Sequence, residues 1–293
     1  MTQTKLDRFL DRAEMLLQRV EQVLPGIPPE PAWDAAIAYR WRKRGTQGFL
    51  QPVVHPHRIA LKDLQGVDEQ KRLVDRNTRQ FVQGLPANNV LLTGARGTGK
   101  SSLIKAALNQ YAPKGLRLIE VERQELVDLP DIVELLYRRS ERFIVYCDDL
   151  SFDAGEPGYR ALKVALDGSV AAPSENVLIY ATSNRRHLMP EYMAENLEAQ
   201  HVGGEVHPGE TTEEKVSLSE RFGLWLSFYP FDQEQYLAIV QHWLAHFGVA
   251  DRDSEPVRRE ALQWALGRGS RSGRSAWQFA RDWSGRMGLK SRR

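Results

Sequence analysis

Five short apolar runs, separated by stretches with helical periodicity, constrain the fold of this chain more than any other feature. The runs are "NNVLLTG" (88–94), "LRLIEV" (116–121), "FIVYC" (143–147), "NVLIYATS" (176–183) and "GLWLSFY" (223–229). Most are nearly continuous in apolar side chains, which is typical of strands that are buried on both faces. Strands that alternate with helices along a chain form a parallel sheet covered by helices. The pattern therefore predicts an α/β fold built on a five-stranded parallel sheet.

The segments before this region carry helical signals. Apolar residues recur every three or four positions and predict an amphipathic helix over residues 4–24; they are Leu6, Leu10, Ala13, Leu17, Val20 and Leu24. A second helix is predicted over Trp33 to Arg44, and residues 45–62 are interpreted as a connector. Residues 1–62 are therefore predicted to form an N-terminal helical extension to an α/β core at 63–229.

The strand signals stop after Pro230. Asp232 and Gln235 form a capping-box pattern at the start of a predicted helix, and Gly248 follows its end. Two more helices are predicted near 255–266 and 275–286. Residues 230–293 are therefore expected to form a small C-terminal helical lid.

Composition indicates a soluble, cytoplasmic protein. The chain has 293 residues, of which 42% are hydrophobic and 27% charged, and it contains no run of 18 apolar residues that predicts a membrane span. The N-terminus lacks the apolar core of a signal peptide. The single cysteine, Cys147, cannot form an intramolecular disulfide. We therefore expect no membrane association.

Positive charge is concentrated near the C-terminus. Residues 251–293 contain 11 Lys/Arg and 5 Asp/Glu, although the net charge of the whole chain is only +2. Such an excess is compatible with binding of nucleic acid, and equally with a solvated helix face that contains a few nucleotide-contacting arginines.

The motif "GARGTGKS" follows the first apolar run and matches G-x-x-x-x-G-K-[ST] at every fixed position. Gly97 and Gly99 allow backbone N–H groups to point inward around a β-phosphate. Lys100 can bridge the β- and γ-phosphate oxygens of ATP, and Ser101 can ligate Mg²⁺. The predicted nucleotide-binding residues are Gly94, Ala95, Arg96, Gly97, Thr98, Gly99, Lys100, Ser101 and Ser102.

Two adjacent carboxylates, Asp148 and Asp149, follow the third apolar run. Ligands bind at the carboxyl ends of strands in open parallel sheets, so Asp148 is predicted to hold Mg²⁺ through a coordinated water. Asp149 is the predicted general base. Aspartate is shorter than glutamate by one C–C bond, about 1.5 Å, and a displacement near 1 Å can cost on the order of a hundredfold in rate. Slow hydrolysis of ATP is therefore expected.

With these motifs in place, residues 62–293 resemble the AAA+ branch of P-loop ATPases. In "YATSNRRHL" the resemblance makes Asn184 the sensor 1 residue, and in "LSERFGLWLSFYPF" it makes Arg221 the arginine finger. In "GSRSGRSAWQF" it makes Arg274 the sensor 2 residue, with Arg271 as the alternative. The segment "DLQGVDEQK" resembles the flank of the adenine pocket. The resemblance therefore implies that Gly66 and Val67 line this pocket.

The resemblance also implies a sheet order of 5-1-4-3-2 and a nucleotide bound between the core and the lid. The phrases "LLTGARGTGKSSLIKA", "CDDLSF", "ATSNRRHL" and "SLSERFGLW" resemble an uncharacterised bacterial family of single-module ATPases of unknown function. Each assignment has a structural alternative. Asn184 could be a strand-end turn residue, Arg221 a salt-bridge partner of Glu220 or of the acidic stretch 210–214, and Arg274 an exposed residue at a helix start.

The function expected from this resemblance is binding of Mg-ATP and its slow hydrolysis by an assembly-dependent switch or remodeller. Arg221 would act in trans within a homo-oligomer. The alternative is an ATP-gated adaptor or loader that binds DNA or a protein partner with negligible hydrolysis of its own. A small-molecule phosphotransferase would use the same phosphate-binding motif, but this function gives no role to the C-terminal helical lid. The acidic segment 190–217 is interpreted as a partner-binding or site-closing loop.

Overall fold

The computed structural model describes residues 7–16, 31, 33–45, 47–137, 139–152, 156–167, 174–184, 200–202, 205–207 and 218–290. The strands are β1 (Ala38–Arg44), β2 (Gln47–Pro52), β3 (Val90–Gly94), β4 (Leu116–Glu120), β5 (Arg142–Cys147), β6 (Val177–Ser183), β7 (Gln200–Val202), β8 (Glu205–His207) and β9 (Leu224–Phe228). Residues 7–16 form helix α1. The other helices are α2 (Asp68–Val82), α3 (Lys100–Tyr111), α4 (Leu129–Leu136), α5 (Pro157–Asp167), α6 (Gln233–His246), α7 (Glu255–Gly267) and α8 (Gly273–Lys290). Within these ranges, no helix has the length and apolar character needed to cross a membrane.

The main sheet has seven strands in the order β2-β1-β4-β5-β6-β3-β9. The five strands expected from the apolar runs are all parallel to their neighbours. Numbered along the chain, they lie in the predicted order 5-1-4-3-2. The expected strand count of five is corrected to seven, because β1 pairs parallel to β4 and carries β2 as an antiparallel edge strand.

The prediction of a helix over Trp33 to Arg44 is wrong, because most of this segment is strand β1. Its sequence, "AYRWRKR", alternates aromatic and basic residues, and this period of two is that of a strand. Tyr39 and Trp41 are buried on one face. Arg40, which lies between them, faces the other way and pairs with Glu120 at 2.6 Å. The segment read as a connector, 45–62, contains β2.

Apolar clusters cover both faces of the sheet. One face packs against α4 and α5, with Ile132 and Leu162 fully buried there. The other packs against α2 and α3, with Phe81 and Leu103 in its core. Full burial of one such side chain stabilises the fold by about 1.5–3 kcal/mol. The second cluster continues into the lid, so the core and the lid share one apolar interior.

The lid consists of α6, α7 and α8, as its helical signals predicted. The capping box is confirmed, because the Asp232 carboxylate accepts a hydrogen bond from the Gln235 N–H at 2.8 Å and the Gln235 side chain returns to Asp232 N. At the other end of the lid, Gly273 N donates to Gly97 O at 2.8 Å. This contact joins the start of α8 in the lid to the predicted phosphate-binding loop of the core, which carries the motif "GARGTGKS" at 94–101.

Candidate functional site

The phosphate-binding loop connects the end of β3 at Gly94 to the start of α3 at Lys100. Three of its glycines have positive φ: 118° at Gly94, 74° at Gly97 and 102° at Gly99. A Cβ at Gly94 would lie 2.0 Å from the carbonyl oxygen of Phe228 in the neighbouring strand. The loop path is therefore open only to glycine at this position.

Lys100 lies at the centre of the loop and is only 5% exposed. Its Nζ donates hydrogen bonds to Gly94 O and Ala95 O, both at 2.7 Å, and to Asn184 Oδ1 at 3.1 Å. Burial lowers the pKa of the Lys100 ammonium, while the carboxylates of Asp149 and Asp148 oppose that shift. The ammonium is thus held by neutral oxygens that a phosphate could replace.

Asp148 is held by two hydroxyl groups. Ser101 Oγ donates to Asp148 Oδ1 at 2.7 Å, and Thr182 Oγ1 donates to the same oxygen at 2.6 Å. Partial burial acts to raise the pKa of the Asp148 carboxyl, but the hydrogen bonds from Thr182 and Ser101 help to outweigh it and leave the pKa below its usual value. The side chain is therefore ionised at neutral pH.

Asp149 is held in an uncommon backbone conformation, with φ of 52°, and no other described residue except glycine has a positive φ. Its N–H donates to Thr182 Oγ1 at 3.0 Å, and its carboxylate accepts a hydrogen bond from Asn184 Nδ2. Aspartate tolerates this conformation better than most residues do, and such strain is concentrated at functional sites. Asn184 therefore connects the predicted base to Lys100.

These residues face a cavity of about 620 Å³ between the core and the lid. Ligand pockets commonly have volumes of about 300–1,000 Å³. Its lining includes residues 96–102 together with Asp148, Asp149, Thr182 and Asn184. Apolar and aromatic side chains also line it, among them Ile59, Leu64, Val67, Phe231, Ile239, Trp243 and Trp277. The cavity thus offers polar groups that could bind phosphates and apolar surface that could pack against a planar base.

The cavity brings most of the candidate residues together. Arg274, at the start of α8, lines it, whereas the alternative Arg271 lines a neighbouring cavity. Val67 lines it as expected. Gly66 is not among the lining residues, and it packs behind the wall, where an added Cβ would lie 3.1 Å from the Phe231 ring.

Arg221 is not among the residues that line this cavity. It lies between a helical turn at 218–220 and β9, and its Nε pairs with Asp167 Oδ1 at 2.5 Å, at the end of α5. Asp167 was not among the salt-bridge partners considered from the sequence, and one of those, the stretch 210–214, lies outside the described residues. The acidic segment 190–217 lies outside the described residues, apart from the strands β7 and β8.

The site also fits Mg²⁺. This ion prefers oxygen ligands and is usually held by one or two carboxylates together with substrate phosphates. Ser101 Oγ and Asp148 Oδ1 lie 2.7 Å apart at the carboxyl end of β5, beside the phosphate-binding loop. A hydroxyl and an ionised carboxylate are the donors that such an ion requires, so these residues would hold it.

Sequence reasoning missed Thr182, which contacts both Asp148 and Asp149. Its signal was its position, because it lies near the carboxyl end of β6, two residues before Asn184. The aromatic wall formed by Phe231, Trp243 and Trp277 was also missed. Those residues are distant in the sequence from the motif, and only the packing of the lid brings them to the cavity.

The family of this chain follows from its sequence, and the class of its fold follows from its structure. Residues 34–287 match the family described as "Protein of unknown function (DUF815)". This chain belongs to that family, and it has the fold of AAA+ P-loop ATPases. Among curated proteins, none is significantly similar in sequence.

Solved structures with a similar fold include a single-substitution variant of RuvB from Thermotoga maritima. It is 13% identical, the match covers 76% of this chain and 63% of that one, and the TM-score is 0.50. The replication initiator DnaA bound to AMPPCP and single-stranded DNA is 15% identical over the same shares, with a TM-score of 0.47. The chain thus spans less than two thirds of the length of these proteins, and at these identities the likeness concerns the fold alone.

Proposed function

We propose that this chain binds Mg-ATP and hydrolyses it slowly, as a switch or remodeller whose turnover depends on assembly. One observation carries the proposal: Lys100, Ser101, Asp148, Asp149 and Asn184 form, together with Thr182, one hydrogen-bonded network beside the phosphate-binding loop, facing a cavity of nucleotide size. A merely structural loop would not require a buried lysine, an ionised carboxylate and a strained aspartate in mutual contact.

Each residue has a task in this proposal. Lys100 exchanges its carbonyl partners for the β- and γ-phosphate oxygens. Ser101 and Asp148 would hold Mg²⁺, whose positive charge would offset the negative charge of the phosphate oxygens. Asp149 accepts the proton of the attacking water, with Asn184 orienting its carboxylate. The Asp149 side chain is shorter than that of glutamate, and its carboxylate already accepts a hydrogen bond from Asn184. Both features favour slow hydrolysis.

The dependence on assembly rests on Arg221. Its side chain lies outside the cavity of its own chain, so we propose that it reaches the nucleotide of a neighbouring copy after leaving Asp167. An arginine finger is worth about 10³–10⁵ in rate in well-characterised enzymes. Isolated protomers would therefore hydrolyse ATP far more slowly than assembled ones.

Turnover of ATP per protomer, measured across a series of protein concentrations, tests the proposal, with Lys100→Ala as the control for contaminating ATPases. A rate that climbs with concentration is expected. A flat, measurable rate would contradict the role of Arg221 in trans. A flat rate no higher than that of Lys100→Ala would instead favour an ATP-gated adaptor.

Complementation sharpens this test. Arg221→Ala lacks the finger and Asp149→Asn lacks the base, so each alone should lose most of its turnover. In a mixture, the intact Arg221 of one copy can face the intact Asp149 of the other, and activity should return. Two inactive variants that stay inactive when mixed, although they still assemble, would refute a shared site.

A further inference from the structure

A second cavity, of about 990 Å³, lies beside the phosphate-binding loop and is larger than the cavity of about 620 Å³ in which we propose that ATP binds, called the nucleotide cavity below. Its walls come from three parts of the chain: the loop residues Ala95, Arg96 and Thr98, the link between the core and the lid at 230–233, and the lid segment 255–271. None of the functions assigned above uses this space.

Four arginines and one glutamate line the second cavity; they are Arg96, Arg258, Arg259, Arg271 and Glu255. Arg258 pairs with Glu234 and Asp253. The other three arginines have no carboxylate within ion-pair distance among the described residues. Arg259 and Arg271 are also exposed. The cavity therefore presents guanidinium groups whose charge is not neutralised locally, and guanidinium groups suit phosphate oxygens.

One exposed apolar side chain lines the cavity, and an exposed aromatic residue is next to a lining residue in the sequence. Leu266 lines the cavity and is 82% exposed, and Tyr229, which immediately precedes the lining residue Pro230, is 74% exposed. Arg268 and Trp264 are not lining residues, but they lie in the lid segment that forms one wall, and the Arg268 guanidinium lies 3.7 Å from the centre of the Trp264 ring. Exposed aromatic rings and flat guanidinium groups are the surfaces on which unpaired bases stack.

We propose that the second cavity, with its rim, binds a segment of single-stranded nucleic acid, with phosphates on the arginines and bases on the planar groups. Its volume exceeds that of the nucleotide cavity, so it accommodates at least one nucleotide of the strand. This assignment goes beyond the proposed hydrolysis and does not rest on it, because the strand site is defined without ATP.

The two cavities share Arg96, Thr98 and Phe231 in their linings. Arg96 lies close enough to Lys100 to contribute to lowering the pKa of that ammonium, after the larger effect of burial. A nucleotide phosphate would attract Arg96 and withdraw one cation from the strand site. We therefore expect a non-hydrolysable ATP analogue to weaken strand binding, with the reciprocal effect of the strand on nucleotide affinity. Arg96→Ala should abolish this coupling.

The direct test is fluorescence anisotropy of a labelled single-stranded 20-mer with the full chain, without nucleotide, over a series of salt concentrations. Wild type should bind, and its affinity should fall with salt. The variant Arg259→Glu/Arg271→Glu should bind at least tenfold more weakly, and its salt slope should be smaller by about 1.4, because each phosphate contact on a single strand contributes about 0.7.

Arg252→Glu is the matched control, since Arg252 is exposed on the same lid but lines neither cavity. It should change strand affinity less than twofold. Arg259→Glu alone should keep the affinity for a fluorescent ATP analogue, which would show that the variant is folded and that its nucleotide cavity is intact. Equal weakening in Arg252→Glu, or no strand binding by wild type at about 50 mM salt, would overturn the proposal. Displacement by polyglutamate at the same charge concentration would overturn it as well, because the cavity would then recognise charge rather than a strand.

Discussion

Replacement of Thr182 by valine would remove one hydroxyl from the centre of the site without changing the shape of the side chain. Thr182 is only 1% exposed. Its hydroxyl donates to Asp148 at 2.6 Å and accepts from the N–H of Asp149 at 3.0 Å. Thr182→Val therefore removes a hydrogen bond from an ionised carboxylate and leaves a backbone donor without this acceptor.

The magnitude follows from these two contacts. A hydrogen bond to a charged group contributes about 1.5–3 kcal/mol, whereas Asp149 is exposed, so its N–H can bond water instead. Thr182→Val should therefore lower the free energy of unfolding by about 1.5–3 kcal/mol. Loss of a group that orients a metal ligand typically lowers metal affinity by about 10–100-fold. The Mg²⁺ concentration that half-saturates nucleotide binding should rise by that factor.

The assay is binding of a fluorescent ATP analogue across a Mg²⁺ titration, alongside chemical denaturation. Thr182→Ser restores the hydroxyl and should recover Mg²⁺ dependence to within a few-fold of wild type. Thr78→Val is the matched control, because Thr78 is fully buried and its hydroxyl bonds Tyr180 at 2.9 Å, outside the nucleotide cavity. It should lose about 1 kcal/mol of stability with unchanged Mg²⁺ dependence. Unaltered Mg²⁺ dependence in Thr182→Val would refute the positioning role of Thr182.

Two further predictions concern stability. Gly94→Ala should prevent folding or lower the free energy of unfolding by more than about 3 kcal/mol. The new Cβ would lie 2.0 Å from the Phe228 carbonyl oxygen, and φ at this position is 118°. Soluble protein with a wild-type melting temperature would contradict this prediction. Burial and the nearby Glu122 raise the pKa of Glu125, and Glu125 Oε2 is buried without a hydrogen-bond partner among the described residues. The folded state then binds this proton more tightly than the unfolded state, so stability falls as pH rises from about 4.3. Glu125→Gln should raise the melting temperature at pH 7 and leave it unchanged at pH 4, and an equal shift at both pH values would contradict the electrostatic cause.

The sheet contains strands that the hydrophobic pattern predicted and strands that it did not. The five parallel strands follow from apolar runs whose burial on both faces is visible in the sequence, and their order came from the family resemblance. The edge hairpin was not foreseen, because "AYRWRKR" has enough helix-forming residues to suggest a helix, whereas pairing with β4 selects a strand. Two of its arginines, Arg40 and Arg42, pair with carboxylates some 80 residues away, Glu120 and Glu122. Tertiary pairing overrode the local preference.

The sequence by itself determined the phosphate-binding loop, the two carboxylates and the lid helices, because each depends on a short stretch in which glycine, lysine, aspartate or a capping residue is locally required. Tertiary structure alone decided the contacts between them. Thr182 contacts both Asp148 and Asp149 only in the folded chain. Likewise, Arg274 rather than Arg271 lines the nucleotide cavity, and Arg221 pairs with Asp167. Tertiary structure also assembled the second cavity from three distant segments. The physical reason is distance along the chain: a motif specifies the geometry of adjacent residues, whereas contacts between strand ends and lid helices exist only after the apolar core has packed.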